Sequence, residues 1–238
     1  MTMTLQDLCN SRQGQDIVIL GGGPSVNDIP LSLLRHWFVI GTNKAYMLGD
    51  ELIDILFFGD LKFWHENKEA LAHYKGDVYT NHHGLEFEPK AHWLPRKNSG
   101  FHRDAIGWNG NTGAAAINLA LIMGARNVYL LGFDMKVEPC KDHNWYASDG
   151  RNATAIHYEK WRDKLSLCEW RKTFPATDGI FNLNPDSALD CFTKKPWQMV
   201  LIRDESDAML VANTKPSHTP EKAPRGLFDM VKAVSHGI

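Results

Sequence analysis

The sequence has little cysteine, little net charge and no long apolar run. Its four cysteines are far apart among 238 residues and form no Cys-x-x-Cys pair, which argues against a disulfide framework and a four-cysteine zinc site. The 26 Lys and Arg against 28 Asp and Glu give a formal charge of −2, whereas nucleic-acid-binding domains carry a basic surface. We therefore expect no nucleic-acid partner.

Segments that would direct the chain to a membrane are also missing. The most apolar stretch, 114–125, is shorter than the roughly 18 residues that a membrane span needs, and it contains Asn118. The first residues hold no basic region followed by an apolar core, so no signal peptide is expected. No membrane span is expected, and the reducing cytoplasm is the expected location.

What the sequence does contain is a series of short aliphatic runs that alternate with helical stretches, which is typical of a parallel α/β sheet. The predicted strands are 16–21, 37–41, 53–59, 77–80, 92–94, 127–132 and 180–183. The predicted helices are 112–123 and 153–173, and 197–202 and 208–212 fit either a strand or a helix. We predict an α/β fold, a Rossmann-like three-layer sandwich with a mainly parallel sheet.

The composition changes near the C-terminus. Three prolines among polar residues between 213 and 225 indicate a linker, and 227–234 resembles a short amphipathic helix. We therefore predict a nucleotide-binding domain over 1–212, followed by a linker and a short C-terminal helix over 213–238. This tail could join copies of the chain into a homo-oligomer.

A first glycine cluster, 21–25, ends the first predicted strand, where open parallel sheets bind ligands. Glycines let a backbone approach a phosphate closely, and a serine adds a hydroxyl donor. The nucleotide-binding residues predicted here are Gly22, Gly23, Pro24 and Ser25. Val26 stands where a dinucleotide fingerprint has its third glycine, so neither NAD nor FAD is expected. The alternative is a tight turn without a ligand.

A second glycine cluster, 107–113, precedes an alanine-rich helix start. Asn111 or Thr112 suits the N-cap of that helix, and the small alanines allow close approach of the sheet or of a ligand. We predict that Asn111, Thr112 and Gly113 bind the nucleotide together with the first cluster, each turn gripping one end of it.

Polar residues follow three predicted strands: Asn43, Asp60 and Asp134. Carboxyl ends of parallel strands meet at one edge of a sheet, so these side chains face the ligand crevice. Asp60 and Asp134 could hold Mg²⁺ against phosphates, because this ion often takes only one or two carboxylates. The alternative is that each aspartate caps the turn after it.

Two histidines could act as a general base, because an ordinary imidazole titrates near neutral pH. His143 lies in a polar loop after Asp134, and His157 opens the long predicted helix. With 11 histidines present, a surface or packing role is the alternative for each. Trp108 and Trp145 flank the two polar loops and could stack on a base or a sugar ring.

The segments 17–25, 42–43, 111–113 and 124–134 resemble the bacterial sialyltransferases of glycosyltransferase family 42. They also resemble a broader group named after the archaeal 6-hydroxymethylpterin diphosphokinase, in which many members, some of them phage-borne, have no established activity. The resemblance runs from about residue 16 to residue 192, with the motifs in the same order.

The resemblance implies site roles. It places Gly23, Pro24 and Ser25 at the nucleotide phosphates, Asn43 near the nucleotide, and Thr112 and Gly113 over the phosphate from the other side. His157 falls roughly where the sialyltransferases keep their catalytic base, and Asp60 falls where they have an asparagine. They also carry a tyrosine just after the position of Asp134, where this chain has Met135-Lys136. The candidate catalytic residues are His157, His143 and Asp134.

Three functions fit these features. The first is a glycosyltransferase-like enzyme with a nucleotide-activated donor, in which His157 or His143 deprotonates the acceptor. The second is a Mg²⁺-dependent diphosphokinase acting on a pterin-like alcohol, with Asp60 and Asp134 at the metal. The third is a nucleotide-binding protein that kept the fold without a reaction.

Overall fold

The computed structural model describes residues 3–137, 143–146 and 153–213. The strands are β1 (Asp16–Leu20), β2 (Phe38–Thr42), β3 (Ile55–Phe58), β4 (Asp77–Thr80), β5 (His92–Trp93), β6 (Arg96–Lys97), β7 (Ile106–Gly107), β8 (Asn127–Leu131), β9 (Gly179–Asn182) and β10 (Thr193–Lys194). The α-helices are α1 (Leu5–Leu8), α2 (Leu61–His73), α3 (Thr112–Ile122), α4 (Ala155–Ser166), α5 (Trp170–Thr173), α6 (Gln198–Leu201) and α7 (Glu205–Asn213). Short 3₁₀ turns follow β1 and β2, including Pro24–Asp28 and Asn43–Leu48.

The centre is an eight-stranded sheet in the order β10-β9-β8-β1-β2-β3-β4-β5, and all of its pairs are parallel. β6 and β7 form a separate two-stranded pair. From β1 the chain moves outward through β2 to β5 on one side, and β8 to β10 fill the other side. The strand order therefore reverses between β1 and β8, and open α/β sheets bind ligands at such a switch point.

The core lies on both faces of the sheet, as alternation along a strand requires. In β1, Ile17 and Ile19 belong to the cluster under α3, whereas Val18 and Leu20 belong to the cluster on the opposite face. Helix α3 is buried along nearly its whole length, because its small alanines let it lie directly on the sheet. The predicted α/β sandwich with a mainly parallel sheet is confirmed.

Most predicted elements are present with shifted ends. The predicted helix over 153–173 is wrong as a single element, because α4 ends at Ser166 and α5 starts at Trp170. The break has a packing cause: Trp170 and Phe174 turn into the core, while Leu167 at the break is 79% exposed. The two ambiguous segments near residue 200 are the helices α6 and α7, and no strand was predicted at β6, β7 or β10.

Helix α7 ends the described part of the chain and contacts the 3₁₀ turn Leu31–His36 between β1 and β2. Asp207 is buried and pairs with Arg35 across 3.1 Å. It also accepts a hydrogen bond from the backbone N–H of Arg203 at 3.0 Å. The predicted linker and terminal helix beyond this point lie outside the described residues. None of the helices described is long and apolar enough to cross a bilayer.

Candidate functional site

A cavity of about 350 Å³ opens at the carboxyl edge of the sheet, at the switch point between β1 and β8. Its walls come from the loops after β1, β2, β3 and β8, from the start of α3, and from one face of α4. The lining residues are 21–23, Thr42, Asn43, Asp60, Trp108, 110–113, 132–135, His143, Asn144, Tyr146, Ala153, Tyr158 and Trp161. The loops that the sequence marked as polar or glycine-rich therefore share one space.

The two glycine turns both border this cavity. Gly22 and Gly23 line it after β1, and the start of α3 lines it as well. Pro24 and Ser25 are not part of the lining. Ser25 instead turns to Asp134: its hydroxyl donates to Oδ2 at 2.8 Å and its N–H donates to Oδ1 at 3.3 Å.

The backbone of the first turn is mostly used within the fold. The N–H of Gly21 donates to the carbonyl of Leu131 and that of Gly23 to the carbonyl of Gly132, both at 2.8 Å. A Cβ on Gly23 would lie 1.9 Å from the Asp134 carboxylate, so glycine is required by close packing between the two loops. This turn therefore shapes the cavity more than it supplies donors to it, which differs from the expectation for Ser25.

The start of α3 supplies free donors instead. Asn111 is the N-cap, and its Oδ1 accepts from the N–H of Ala114 at 2.9 Å. Among the described residues, no acceptor meets the N–H groups of Thr112 and Gly113, the first two of the helix. These donors and the positive end of the helix dipole favour an anion at this wall.

Asn43 adds an acceptor on the β2 side. Its backbone is left-handed, with φ of 51°, a conformation that asparagine tolerates better than most residues. Its Oδ1 is buried without a hydrogen-bond partner in the described structure, although the residue borders the cavity. Buried polar atoms are normally paired, so a ligand N–H or hydroxyl would satisfy this oxygen.

The two aspartates differ in how they are used. Asp134 is buried, and burial raises the pKa of its carboxyl while the hydrogen bonds from Ser25 counteract that rise. Asn184 donates a further bond to Oδ1 at 3.1 Å. Asp134 thus already ties together the loops after β1, β8 and β9.

Asp60 lines the cavity at the end of β3 and occupies the N-cap position of α2 without a side-chain capping bond. The residue as a whole is accessible, but partial burial of the carboxyl raises its pKa, with Arg96 and His82 acting in the opposite direction. Capping of the next turn therefore does not explain this aspartate.

A magnesium ion would find two carboxylates on this cavity and phosphate oxygens from a ligand, a donor set of the kind that Mg²⁺ takes. Within the described ranges, no group of three or more His, Cys, Asp or Glu could hold a metal ion. The bonds that Asp134 already accepts would leave Asp60 as the more available ligand. The Mg²⁺ site stays a prediction.

The two candidate histidines are placed differently. His143 lines the cavity, and its Nδ1 is buried without a partner in the described structure. His157 is exposed and outside the lining. Its Nδ1 accepts from the N–H of Thr154 at 3.2 Å and lies 2.8 Å from that residue's hydroxyl, so it caps the start of α4.

Several lining residues were not singled out from the sequence. Tyr158 and Trp161 lie three residues apart on one face of α4, a spacing that would have identified a shared wall once the helix was placed. Met135 also lines the cavity, with φ of 52°, and its carbonyl accepts from Arg162 at 2.6 Å. Of the two tryptophans expected to stack on a base or a sugar ring, Trp108 borders the cavity. Trp145 is not among the lining residues, and its indole N–H donates to the carbonyl of Gly21 at 2.9 Å.

The fold is similar to those of solved sialyltransferases. The monofunctional α-2,3-sialyltransferase Cst-I from Campylobacter jejuni is 18% identical with a TM-score of 0.51, over 93% of this chain and 95% of that chain. The sialyltransferase CstII from the same organism, in complex with CMP, is 17% identical with a TM-score of 0.49, over 76% of this chain and 85% of that chain. An α-2,3-sialyltransferase from this organism in its apo form is 20% identical with a TM-score of 0.45, over 80% of this chain and 83% of that chain.

No protein-family model matches the chain, and no curated protein matches it. At 18% sequence identity, the structural similarity to Cst-I shows that the two proteins share a fold.

Proposed function

We propose that this protein is a glycosyltransferase that uses a nucleotide-activated sugar donor. The observation that carries the proposal is the start of α3, where Thr112 and Gly113 line a cavity at the switch point of the sheet and their N–H groups meet no acceptor among the described residues. Its fold is shared with Cst-I, an enzyme named for sialyl transfer, which favours glycosyl transfer as the reaction class.

In the proposed reaction, the bond between the sugar's anomeric carbon and the phosphate oxygen breaks while the acceptor oxygen bonds to that carbon. The departing phosphate gains negative charge, which the N–H donors of the lining residues Thr112 and Gly113 stabilise. Asn43 borders the same cavity at the end of β2, and its buried oxygen would accept a hydrogen bond from the nucleotide.

The acceptor hydroxyl must lose a proton, and His143 is the histidine placed to take it. It lines the cavity, whereas the capping bond of His157 keeps that ring at the start of α4. Met135-Lys136 stands where the sialyltransferases have a tyrosine after the position of Asp134. The proposed donor is therefore a nucleotide sugar whose sugar is not sialic acid.

Calorimetric titration with CMP, UMP, GMP, AMP and their diphosphates tests the donor site. We expect one nucleotide to bind at micromolar to millimolar concentration, and Thr112→Val to weaken it about threefold to tenfold by removing a hydroxyl donor. Thr193→Val, on exposed β10, is the matched control and should bind as the wild type does. Absence of binding by every nucleotide at millimolar concentration would contradict the proposal.

Turnover tests the base. The substrate is the nucleotide sugar that contains the nucleotide found to bind. Release of nucleotide should fall about 100-fold or more in His143→Gln, the usual effect of removing a general base. His157→Gln should retain activity once its small effect on helix stability is allowed for. The reverse ranking would assign the role to His157.

Two alternatives have distinct outcomes. The diphosphokinase gains support from Asp60 and Asp134 bordering one cavity, but none of the comparisons supports it. If this alternative is correct, EDTA and the substitution Asp60→Ala should each abolish the binding of ATP. A binding protein without a reaction requires nucleotide affinity together with no nucleotide release from any nucleotide sugar.

A further inference from the structure

An arginine and a tryptophan form a stacked pair on the β3 side of the cavity. The guanidinium carbon of Arg96 lies 4.5 Å from the ring centroid of Trp108, which lines the cavity. The ring is held against the backbone at the end of β3, because a Cβ on Gly59 would lie 1.9 Å from Trp108. Stacking on a fixed ring pre-orients the guanidinium for a ligand.

Arg96 is half-buried, yet in the described part of the chain its guanidinium donates no hydrogen bond. Other arginines of the fold are engaged: Arg126 makes two bonds to Asp16, both at 3.0 Å, and Arg35 binds Asp207. Arg96 is not itself among the lining residues, but its guanidinium stacks on one of them. A planar guanidinium without hydrogen-bond partners in the described structure is suited to a carboxylate or a phosphate, which it can bind through two parallel bonds.

Asp60 lines the cavity and carries the opposite charge to Arg96. The two charges interact, but no ion pair or hydrogen bond joins Asp60 to Arg96 in the described residues. The carboxylate makes no capping bond to α2 either. Among the described residues, a hydrogen-bond acceptor that lines the cavity and a cationic donor group that stacks on the lining residue Trp108 are therefore both without a protein partner.

The neighbouring strand end carries another unsatisfied polar group. Phe58 of β3 pairs with Thr80 of β4, so Gly59 and Asn81 follow at the same edge. Asn81 is completely buried, and neither atom of its side-chain amide has a partner in the described structure. Polar capacity that the described residues leave unused is thus found at Asp60, Asn81 and Arg96.

We propose that Asp60 and Arg96 form the acceptor subsite and select an anionic acceptor, a sugar or polyol with a hydroxyl next to a carboxylate or a phosphate. Asp60 accepts the hydrogen bond of the hydroxyl, and Arg96 binds the anionic group. The inference rests on the proposed function, since it takes the N–H groups at the start of α3 as the donor site and Asp60 with Arg96 as the acceptor site.

Saturation-transfer NMR with three probes, D-galactose, D-glucuronic acid and galactose 6-phosphate, tests the subsite on the full chain with the tightest-binding nucleotide present. We expect at least one of the acids to bind about tenfold or more tightly than galactose. The two acids separate the sources of the charge: a preference for one identifies a carboxylate or a phosphate. Equal binding of all three probes would overturn the proposal.

The variants locate the effect. Arg96→Gln should bring the acids to the level of galactose, and Arg96→Lys should restore part of the preference, because a lysine keeps the charge without the planar fork. Asp60→Asn should weaken all three probes. Arg171→Gln is the matched control, since Arg171 stacks on Trp170 at 4.3 Å away from the cavity, and it should bind as the wild type does.

Near-ultraviolet circular dichroism verifies that Arg96→Gln is folded, and Arg96→Lys provides a second reading if it is not. An unchanged preference in both variants overturns the proposal. Displacement of the acids by nucleotide also overturns it, because Arg96 would then belong to the donor site. Nucleotide titration of the wild type tests the proposed function separately. Absence of nucleotide binding together with a retained preference for the acids would contradict only the proposed function.

Discussion

Ser25 shows how the same residue type can serve a fold instead of a ligand. A serine after a glycine turn predicts an anion site, but here both its N–H and its hydroxyl meet the carboxylate of Asp134. Two loops that follow adjacent strands are thereby tied together. Donors without an acceptor in the described structure are found instead at the start of α3, on the N–H groups of Thr112 and Gly113.

Ser25→Ala tests this structural role. Removing the hydroxyl deletes a 2.8 Å bond to a buried carboxylate, and we expect the free energy of unfolding to fall by about 1–3 kcal/mol. Urea denaturation measures the change. Ser32→Ala, at an exposed site in the turn Leu31–His36, is the control and should change stability by less than about 0.5 kcal/mol. Equal stability of Ser25→Ala and the wild type would show that the bond contributes nothing.

The pKa of Asp134 makes a second prediction. Burial raises it above its ordinary value of 3.8, so between 3.8 and the folded pKa the folded protein retains a proton that the unfolded chain has lost. Stability contributed by this group is therefore present at low pH and is lost as the pH rises through the folded pKa. The stability of the wild type relative to Asp134→Asn should decrease over that interval, as measured by denaturation at a series of pH values.

Asp16 provides the control of opposite sign. Burial raises the pKa of its carboxyl, but the hydrogen bonds from Arg126 and Asn127 outweigh burial, and the pKa is lowered. Its stabilisation is present above 3.8 and is lost as the pH falls through the folded pKa. The wild type relative to Asp16→Asn should therefore lose stability toward acid. Identical pH profiles for the two variants would contradict both assignments.

At the scale of elements, α3 combines two roles that can be separated by substitution. Asn111 caps the helix, while the two residues after it, Thr112 and Gly113, line the cavity. Asn111→Ala should lower stability by about 1 kcal/mol through loss of the cap. Asn111→Asp keeps the cap but places a negative charge beside the anion site, so it should retain stability and weaken nucleotide binding about threefold to tenfold.

Thermal unfolding and calorimetry of the same samples measure the two effects. Asn111→Ser, a capping residue without charge, is the control and should retain both properties. Nucleotide affinity that is unaffected by the charge in Asn111→Asp would place the phosphate away from this helix.

The elements also show which features were accessible from the sequence. Consecutive aliphatic residues such as Ile17 to Leu20 predict a buried parallel strand, and glycines at its end predict a tight turn, because both signals are local. The break before Trp170 was not predictable, since it depends on which aromatic residues find space in the core. The pairing of Arg96 with Trp108 was equally inaccessible, because it joins residues through the fold and not through a motif.

At the scale of the whole molecule, α7 marks where the described fold ends. Because Asp207 binds Arg35 and the backbone of Arg203, a chain cut after residue 213 should unfold at nearly the same urea concentration as the full chain. A chain cut after 203 loses these bonds and should be less stable by about 1–3 kcal/mol. Sedimentation equilibrium of the first truncation tests whether the tail joins copies into a homo-oligomer. Equal stability of the two truncations would contradict the role of Asp207.

The pairing of β1 with β8 has a consequence for protein synthesis. Asp16 and Asn127 are neighbours in the sheet but lie 111 residues apart in the chain. While the ribosome is making the first half, β1 has only β2 to pair with, and one edge of a very apolar strand stays open. The nascent chain therefore gains a closed ligand crevice only after β8 has emerged, and a pause before that point would leave an aggregation-prone edge uncovered.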